Sequence, residues 1–116
     1  MRLPLQITFR NLSRSQAVVV AVRKHARKLE HFSRHLMGCR VMIEAPQHSP
    51  QHKGLIYNVR IDLTLPGEEI VIHRAPWHHS ANRNIYAGIR DAFRALERQI
   101  QDYEKRRRRT PIPAFA

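Results

Sequence analysis

Acidic residues are scarce in this 116-residue chain: nine Asp plus Glu stand against 21 Lys plus Arg, a formal net charge of +12. The few acids include no carboxylate pair positioned by a motif, and no Ser or Cys has a recognisable base beside it in the sequence. No Gly-rich stretch forms a phosphate cradle either, so little supports an enzyme such as a basic nuclease. Cysteine is nearly absent. Cys39 alone cannot close an internal disulfide, which fits a reducing compartment; no motif surrounds it, and packing on a strand is its expected role. Long apolar runs are missing as well. No stretch approaches the roughly 20 apolar residues of a membrane span, and MRLPLQITFR has no apolar run between its charges to act as an address. We therefore expect a soluble, cytoplasmic protein with no membrane partner.

What is present is positive charge, unevenly placed. Residues 13–36 carry a net +5 and residues 85–109 a net +4, while the long middle, residues 37–84, carries only +1. An excess on two segments points to a phosphate backbone or an anionic surface as partner, since each Lys or Arg that displaces a condensed counterion adds a salt-sensitive attraction; the competing reading is a soluble protein that is merely basic. The length suits a single domain with a modest core.

Leu5, Ile7 and Phe9 alternate with Gln6, Thr8 and Arg10, the period of a strand with one buried face, and Pro4 suits a first position that needs no ladder donor. Ser13 with Gln16 has capping-box spacing, and Ser15 is an alternative N-cap. Val18, Val22, Ala26, Leu29, Phe32 and Leu36 then form an inward helical stripe, with Gly38 as its expected C-cap. The β-branched run AVVVAV argues for a strand, but a 3.6-residue pattern of almost twenty residues is too long for one. Val41, Ile43 and Ala45 make a second strand, Pro46 to Gly54 a polar loop, and Tyr57 to Leu65 the longest strand. Pro66-Gly67 reads as a type II turn, returning Ile70 and Ile72 as a hairpin partner.

The last helix, Asn84 to about Arg108, has two faces. Tyr86, Ile89, Phe93, Leu96, Ile100 and Tyr103 fall at steps of three and four and must bury together. Arg90, Arg94, Arg98 and Lys105, with Arg106 to Arg109 beyond, form a basic stripe that faces water or a polyanion. The order is β-α-β-β-β-α, an α+β fold. A right-handed crossover makes the first two strands parallel neighbours, and a four-stranded mixed sheet carries both helices on one face. The open face shows Gln6, Thr8, Arg10, Arg40, Met42, Glu44, Asn58, Arg60, Asp62 and Thr64, with no aromatic to stack a base, so nucleic acid should meet the helices. His31 and His35, four apart, have a spacing able to clasp a metal, but no third ligand is placed and a solvated pair is expected. His78 and His79 beside Trp77 read either as a loop against RNA or as a tryptophan pinning a turn.

KLEHF (Lys28 to Phe32), the Pro66-Gly67 hairpin and NIYAGIRDAFRALERQIQDYEK from Asn84, in this order on these elements, resemble the short ribosome hibernation-promoting factor and ribosome-associated inhibitor family (YfiA-like, sigma-54 modulation protein) over residues 5–106. The most specific part is the pattern met by Asn84, Ile85, Tyr86 and Ile89, followed by Leu96, Glu97, Arg98, Gln99 and Ile100. Asn84 stands where Asp is usual, Arg90 where Asp or Asn is frequent, and a basic run with an apolar tail replaces the acidic YfiA-type tail. The resemblance implies a fold similar to a double-stranded-RNA-binding domain in residues 1–106, followed by a tail, 107–116, expected to be disordered. It further implies a cytoplasmic factor of stationary phase or stress with no catalytic activity, cofactor or small-molecule substrate, monomeric when free. Such factors bind the small ribosomal subunit (30S) in the mRNA and tRNA channel, against 16S rRNA, and block initiation. The family's basic positions carry over as one patch to Arg23, Lys24, Arg27 and Lys28 on the first helix and Arg90, Arg94, Arg98, Lys105 and Arg106 on the second. The competing readings are a protein-interaction regulator of the sigma-54 modulation type, a general structured-RNA binder and a small nuclease.

Overall fold

The computed structural model describes residues 3–45, 57–74 and 84–109. The chain runs β1 (Leu5–Arg10), α1 (Gln16–Lys28), a single 3₁₀ turn (Leu29–His31), β2 (Gly38–Glu44), β3 (Asn58–Leu65), β4 (Glu68–Arg74) and α2 (Ile85–Arg109). The four strands form one sheet in the order β1-β2-β3-β4. β1 and β2 are parallel, and the two remaining pairings are antiparallel. This is the expected α+β architecture with the expected element order.

Register follows from the alternation. Ile7 lies beside Val41, Val41 beside Ile61 and Ile61 beside Ile72, so one apolar line crosses all four strands on the same face. A slip of one residue would turn every such side chain to solvent. Gly67 has φ +73°, the left-handed value that the third position of a type II turn requires, and Leu65 pairs with Glu68 across it. Asn11, at φ 61°, closes the end of β1 and donates its Nδ2 amide to the Ala45 carbonyl at 3.2 Å.

Both helices cover this apolar face. Val18, Val22, Ala26 and Leu29 from the α1 side, and Ile89, Ala92, Phe93, Leu96, Ile100 and Tyr103 from α2, join Val41, Ile43, Ile61, Leu63 and Ile72 in one core. Ser15 is the N-cap of α1, its Oγ accepting from the Val18 amide at 3.3 Å, and Asn84 Oδ1 accepts from the Tyr86 amide at 3.0 Å at the start of α2. Cys39 is buried on β2; burial pushes its thiol up to about 12, against the pull of Arg40.

The structure corrects three local expectations. The first helix stops at Lys28 and tightens into the 3₁₀ turn, where the Phe32 amide donates to the Leu29 carbonyl at 2.9 Å. Phe32 and Leu36 still pack against the core, but from an irregular connection, which is why their spacing imitates a longer helix. Gly38 therefore opens β2 rather than capping a helix, and His31 and His35 do not share a helical face. Tyr86 is not buried either: it is 47% exposed, because Ile85, one turn before Ile89, takes the inward direction. The last helix ends at Arg109, within one residue of its expected end. The loop expected at Pro46–Gly54, the Trp77-His78-His79 segment and residues 110–116 lie outside the described residues.

Phe93 is fully buried between sheet and helices and ranks among the largest core side chains. Phe93→Ala should cost about 3–5 kcal/mol of unfolding free energy, the usual range for an aromatic truncation that leaves a cavity. Urea unfolding followed by circular dichroism measures it; a loss below about 1 kcal/mol would mean that the two helices do not close over the sheet as described.

Candidate nucleic-acid interface

The same stripes that bury the helices aim their cations. In α1, Arg23, Lys24, Arg27 and Lys28 are exposed and sit opposite or beside the buried row Val18-Val22-Ala26. In α2, Arg90, Arg94 and Arg98 follow one another at steps of four, and Lys105 continues on the same side; all are exposed. The helices run parallel. His25 meets Phe93, and Ser33 and His35 beyond α1 meet Glu104, so both helices advance in the same direction along their contact. Their basic rows consequently lie side by side.

His25 marks the seam between them. Its ring stacks on Phe93 with centroids 5.4 Å apart and an interplanar angle of 15°. Burial lowers its pKa below the usual 6.5, and Lys28, Lys24, Arg90 and Arg94 lower it further by repulsion. Two cations from each helix thus act on one imidazole, and together they form a single electrostatic surface. Sequence reading passed over His25. Its signal was its position on the edge between the Val22-Ala26 stripe and the Lys24-Lys28 row.

A polar clasp holds the far end of the helix pair. Ser33 Oγ donates to Glu104 Oε2, His35 Nδ1 lies 2.8 Å from the same oxygen, and the His35 amide donates to Ser33 Oγ at 2.9 Å. Burial alone would raise the Glu104 pKa, but the hydrogen bonds from Ser33 and His35, with the charges of His35 and Arg107, hold it below the usual carboxylate value. Beside the clasp, His31, Arg34, Lys105 and Arg108 line an open cleft. No pattern in the sequence could announce this cluster, because it exists only where the connection after α1 meets α2.

Not every candidate joins the face. Arg106 turns the other way and donates Nη2 to Glu68 at 2.7 and 2.9 Å, at the start of β4. Tyr103 OH donates to the Pro66 carbonyl at 2.9 Å, and Arg107 Nη1 donates to that hydroxyl at 2.8 Å. Arg106 and Tyr103 thus tie α2 to the β3–β4 hairpin, and Arg107 supports the Tyr103 hydroxyl. Arg90 lies 3.3 Å from its neighbour Asp91. Among the described residues, Arg23, Lys24, Arg27, Lys28, Arg94, Arg98 and Lys105 form no ion pair with a carboxylate. The open sheet face differs, since Arg40 pairs with Glu69 at 2.6 Å and Arg60 with Asp62 at 3.0 Å. Unneutralised cations are therefore concentrated on the helices. No group of three His, Cys, Asp or Glu converges on a metal-sized site among the described residues, and no described helix is long and apolar enough to cross a membrane.

A four-stranded mixed sheet with two parallel helices on one face, and an unpaired basic surface on those helices, defines a small α+β domain built to present a rigid array of cations. The chain belongs to the family described as sigma 54 modulation protein / S30EA ribosomal protein, whose model matches residues 5–108. Among solved structures it is similar to the Protein Y N-terminal domain of Thermus thermophilus, with a TM-score of 0.67 and 19% identity over 89% of this chain and 99% of that one. A ribosomal subunit interface protein from Coxiella burnetii is similar to the same extent, with a TM-score of 0.67 and 16% identity over 89% of this chain and 99% of that one. No curated protein sequence matches the chain.

The His25 environment has a measurable consequence. A histidine whose folded-state pKa lies below its unfolded value binds fewer protons when folded, so its contribution to stability falls as pH drops below about 6.5. In the free protein, NMR titration of the His25 ring should give a midpoint under 6.5, and Lys24→Gln with Arg94→Gln should move that midpoint upward. A midpoint at or above 6.5, or one indifferent to both changes, would show that the two basic rows do not meet at this ring.

Proposed function

We propose that this protein binds the small ribosomal subunit through the outward faces of α1 and α2 and silences translation by occupancy. The observation that carries the reading is the set of unpaired cations on two parallel helices whose spacing is fixed by a shared core. Family membership supports it, as does the likeness to a ribosomal subunit interface protein. Successive turns of a helix set such cations about 5.4 Å apart, a spacing comparable to that of phosphates along an RNA strand. A rigid array of this kind follows a folded backbone without reading bases, so shape supplies the specificity.

The binding surface is Arg23, Lys24, Arg27 and Lys28 on α1 with Arg90, Arg94, Arg98 and Lys105 on α2; Arg106 stands at its margin, held to Glu68. In this reading the surface lies against 16S rRNA in the mRNA and tRNA channel of the 30S subunit. A factor lodged there blocks initiation sterically, under stress or in stationary phase, in the cytoplasm. No bond is made or broken, and no cofactor is needed.

Purified protein should co-sediment with isolated small subunits at a saturating ratio near one, and the binding constant should fall steeply with salt. Removing one arginine, as in Arg94→Ala, should weaken binding modestly and reduce the salt slope by about one phosphate. Reversing Arg90, Arg94 and Arg98 to Glu together should abolish it while leaving the melting temperature close to that of the wild type, since all three are exposed. A protein that stays in the supernatant at low salt would refute the ribosome reading and favour a protein partner.

A further inference from the structure

The basic row of α2 does not begin with a cation. One turn before Arg90, at the same four-residue step that relates Arg90 to Arg94 and Arg94 to Arg98, stands Tyr86, 47% exposed although it is a large aromatic residue. The core does not need it. Ile85 and Ile89 already supply the inward contacts of that turn, and Ile89 is fully buried. Tyr86 therefore offers part of its ring on the side of α2 that carries the arginines.

The neighbouring helix carries small side chains at that end. On α1, Lys24 and Lys28 are preceded on the same flank by Ala17 and Ala21, at steps of three and four, so the cationic flank ends in two small side chains. Val20, one turn before Lys24, is 56% exposed. Because the helices run parallel, the apolar ends of the two basic rows lie at the same end of the pair. Among the described residues, the two helix faces thus change from cationic side chains to Ala17, Val20 and Ala21 toward their N-terminal turns, with the Tyr86 ring at the change.

Resting on the ribosomal reading above, we propose that Tyr86 is a base-stacking site: an unpaired nucleobase of the bound RNA lies on its ring while the adjoining phosphates engage Arg90 and Arg94. The dimensions suit a nucleotide. Tyr86 and Arg90 are separated by about 6 Å of helix rise, comparable to the distance from a base to its own phosphate. Aromatic rings accept any base on its π face, and stacking is independent of charge. Such a contact prefers RNA with a splayed-out base over a continuous duplex, a preference that a purely cationic face lacks. Val71, exposed on the open sheet face, and Met37, exposed in the connection before β2, offer no aromatic ring.

The test is binding of wild type, Tyr86→Ala, Tyr86→Phe and Tyr86→Leu to purified small subunits across a salt series, with Arg94→Ala as a phosphate-contact control and a thermal melt of each variant. Tyr86→Ala should weaken binding by roughly five- to 150-fold with the salt slope unchanged. Tyr86→Phe should bind within about twofold of wild type, and Tyr86→Leu should resemble Tyr86→Ala. Arg94→Ala should lower the slope instead. Tyr86→Ala binding like wild type, or Tyr86→Leu binding as well as Tyr86→Phe, would overturn the stacking site while leaving the ribosomal reading intact. A wild type that fails to bind would overturn both. If Tyr86→Ala melts early, the comparison of Phe with Leu, which conserve bulk, decides between aromatic stacking and simple packing.

Discussion

Two amphipathic helices share one apolar sheet face, and nearly everything else in the molecule follows from that constraint. Ile7, Val41, Ile61 and Ile72 supply a continuous apolar line across the four strands. Burying Val22 and Ala26 from one helix and Phe93 and Leu96 from the other uses up that surface. Every long charged side chain must then leave on the opposite sides of the helices, since a buried, unpaired Lys or Arg is prohibitively costly. The basic face is thus the complement of the core, and its rigidity is borrowed from it. Phe93 ties the two together, contacting the core with one side and the His25 ring with the other.

The carboxylates show the same division. Glu68, Glu69 and Asp62 sit on or beside strands and pair with Arg106, Arg40 and Arg60, so arginines near the sheet are spent on holding the sheet and the hairpin in place. Glu104 anchors the connection after α1 through Ser33 and His35. These pairs matter for geometry more than for stability, because partly exposed ion pairs contribute little free energy. What they leave is an α1 without a single acid and, among the described residues, an α2 whose Arg94, Arg98 and Lys105 pair with none of its four acids. Likeness to solved structures at 16–19% identity fits this logic, since many apolar sets of suitable volume satisfy one sheet-and-helix core.

Where local chemistry decides, the sequence was readable. Period-two alternation located the four strands, Pro66-Gly67 its turn, and the three-and-four spacing from Ile89 to Tyr103 the buried side of α2. The cationic rows were legible too, because outward residues are simply those that the apolar stripe omits. Misreadings arose where tertiary contact overrides periodicity. Phe32 and Leu36 reach the core without being helical, and Tyr86 has the right spacing but its turn is already served by Ile85. The contact of Arg106 with Glu68, 38 residues away, had no local signal either. His25 and the Ser33-Glu104-His35 clasp depend on how segments distant in sequence meet, and no local pattern encodes that. The sequence could show which residues face outward but not which outward residues share a surface.

The central claim is that the two-helix face, and not the open sheet, meets ribosomal RNA. The most direct measurement is an electron cryomicroscopy map of the protein bound to isolated small subunits. The account predicts α1 and α2 lying against rRNA, with Lys24, Lys28, Arg90 and Arg94 within reach of phosphates, and with the sheet surface around Thr8, Met42 and Arg60 turned away from it. A map with that sheet surface on the RNA, or with the helices seated on ribosomal protein alone, would contradict it.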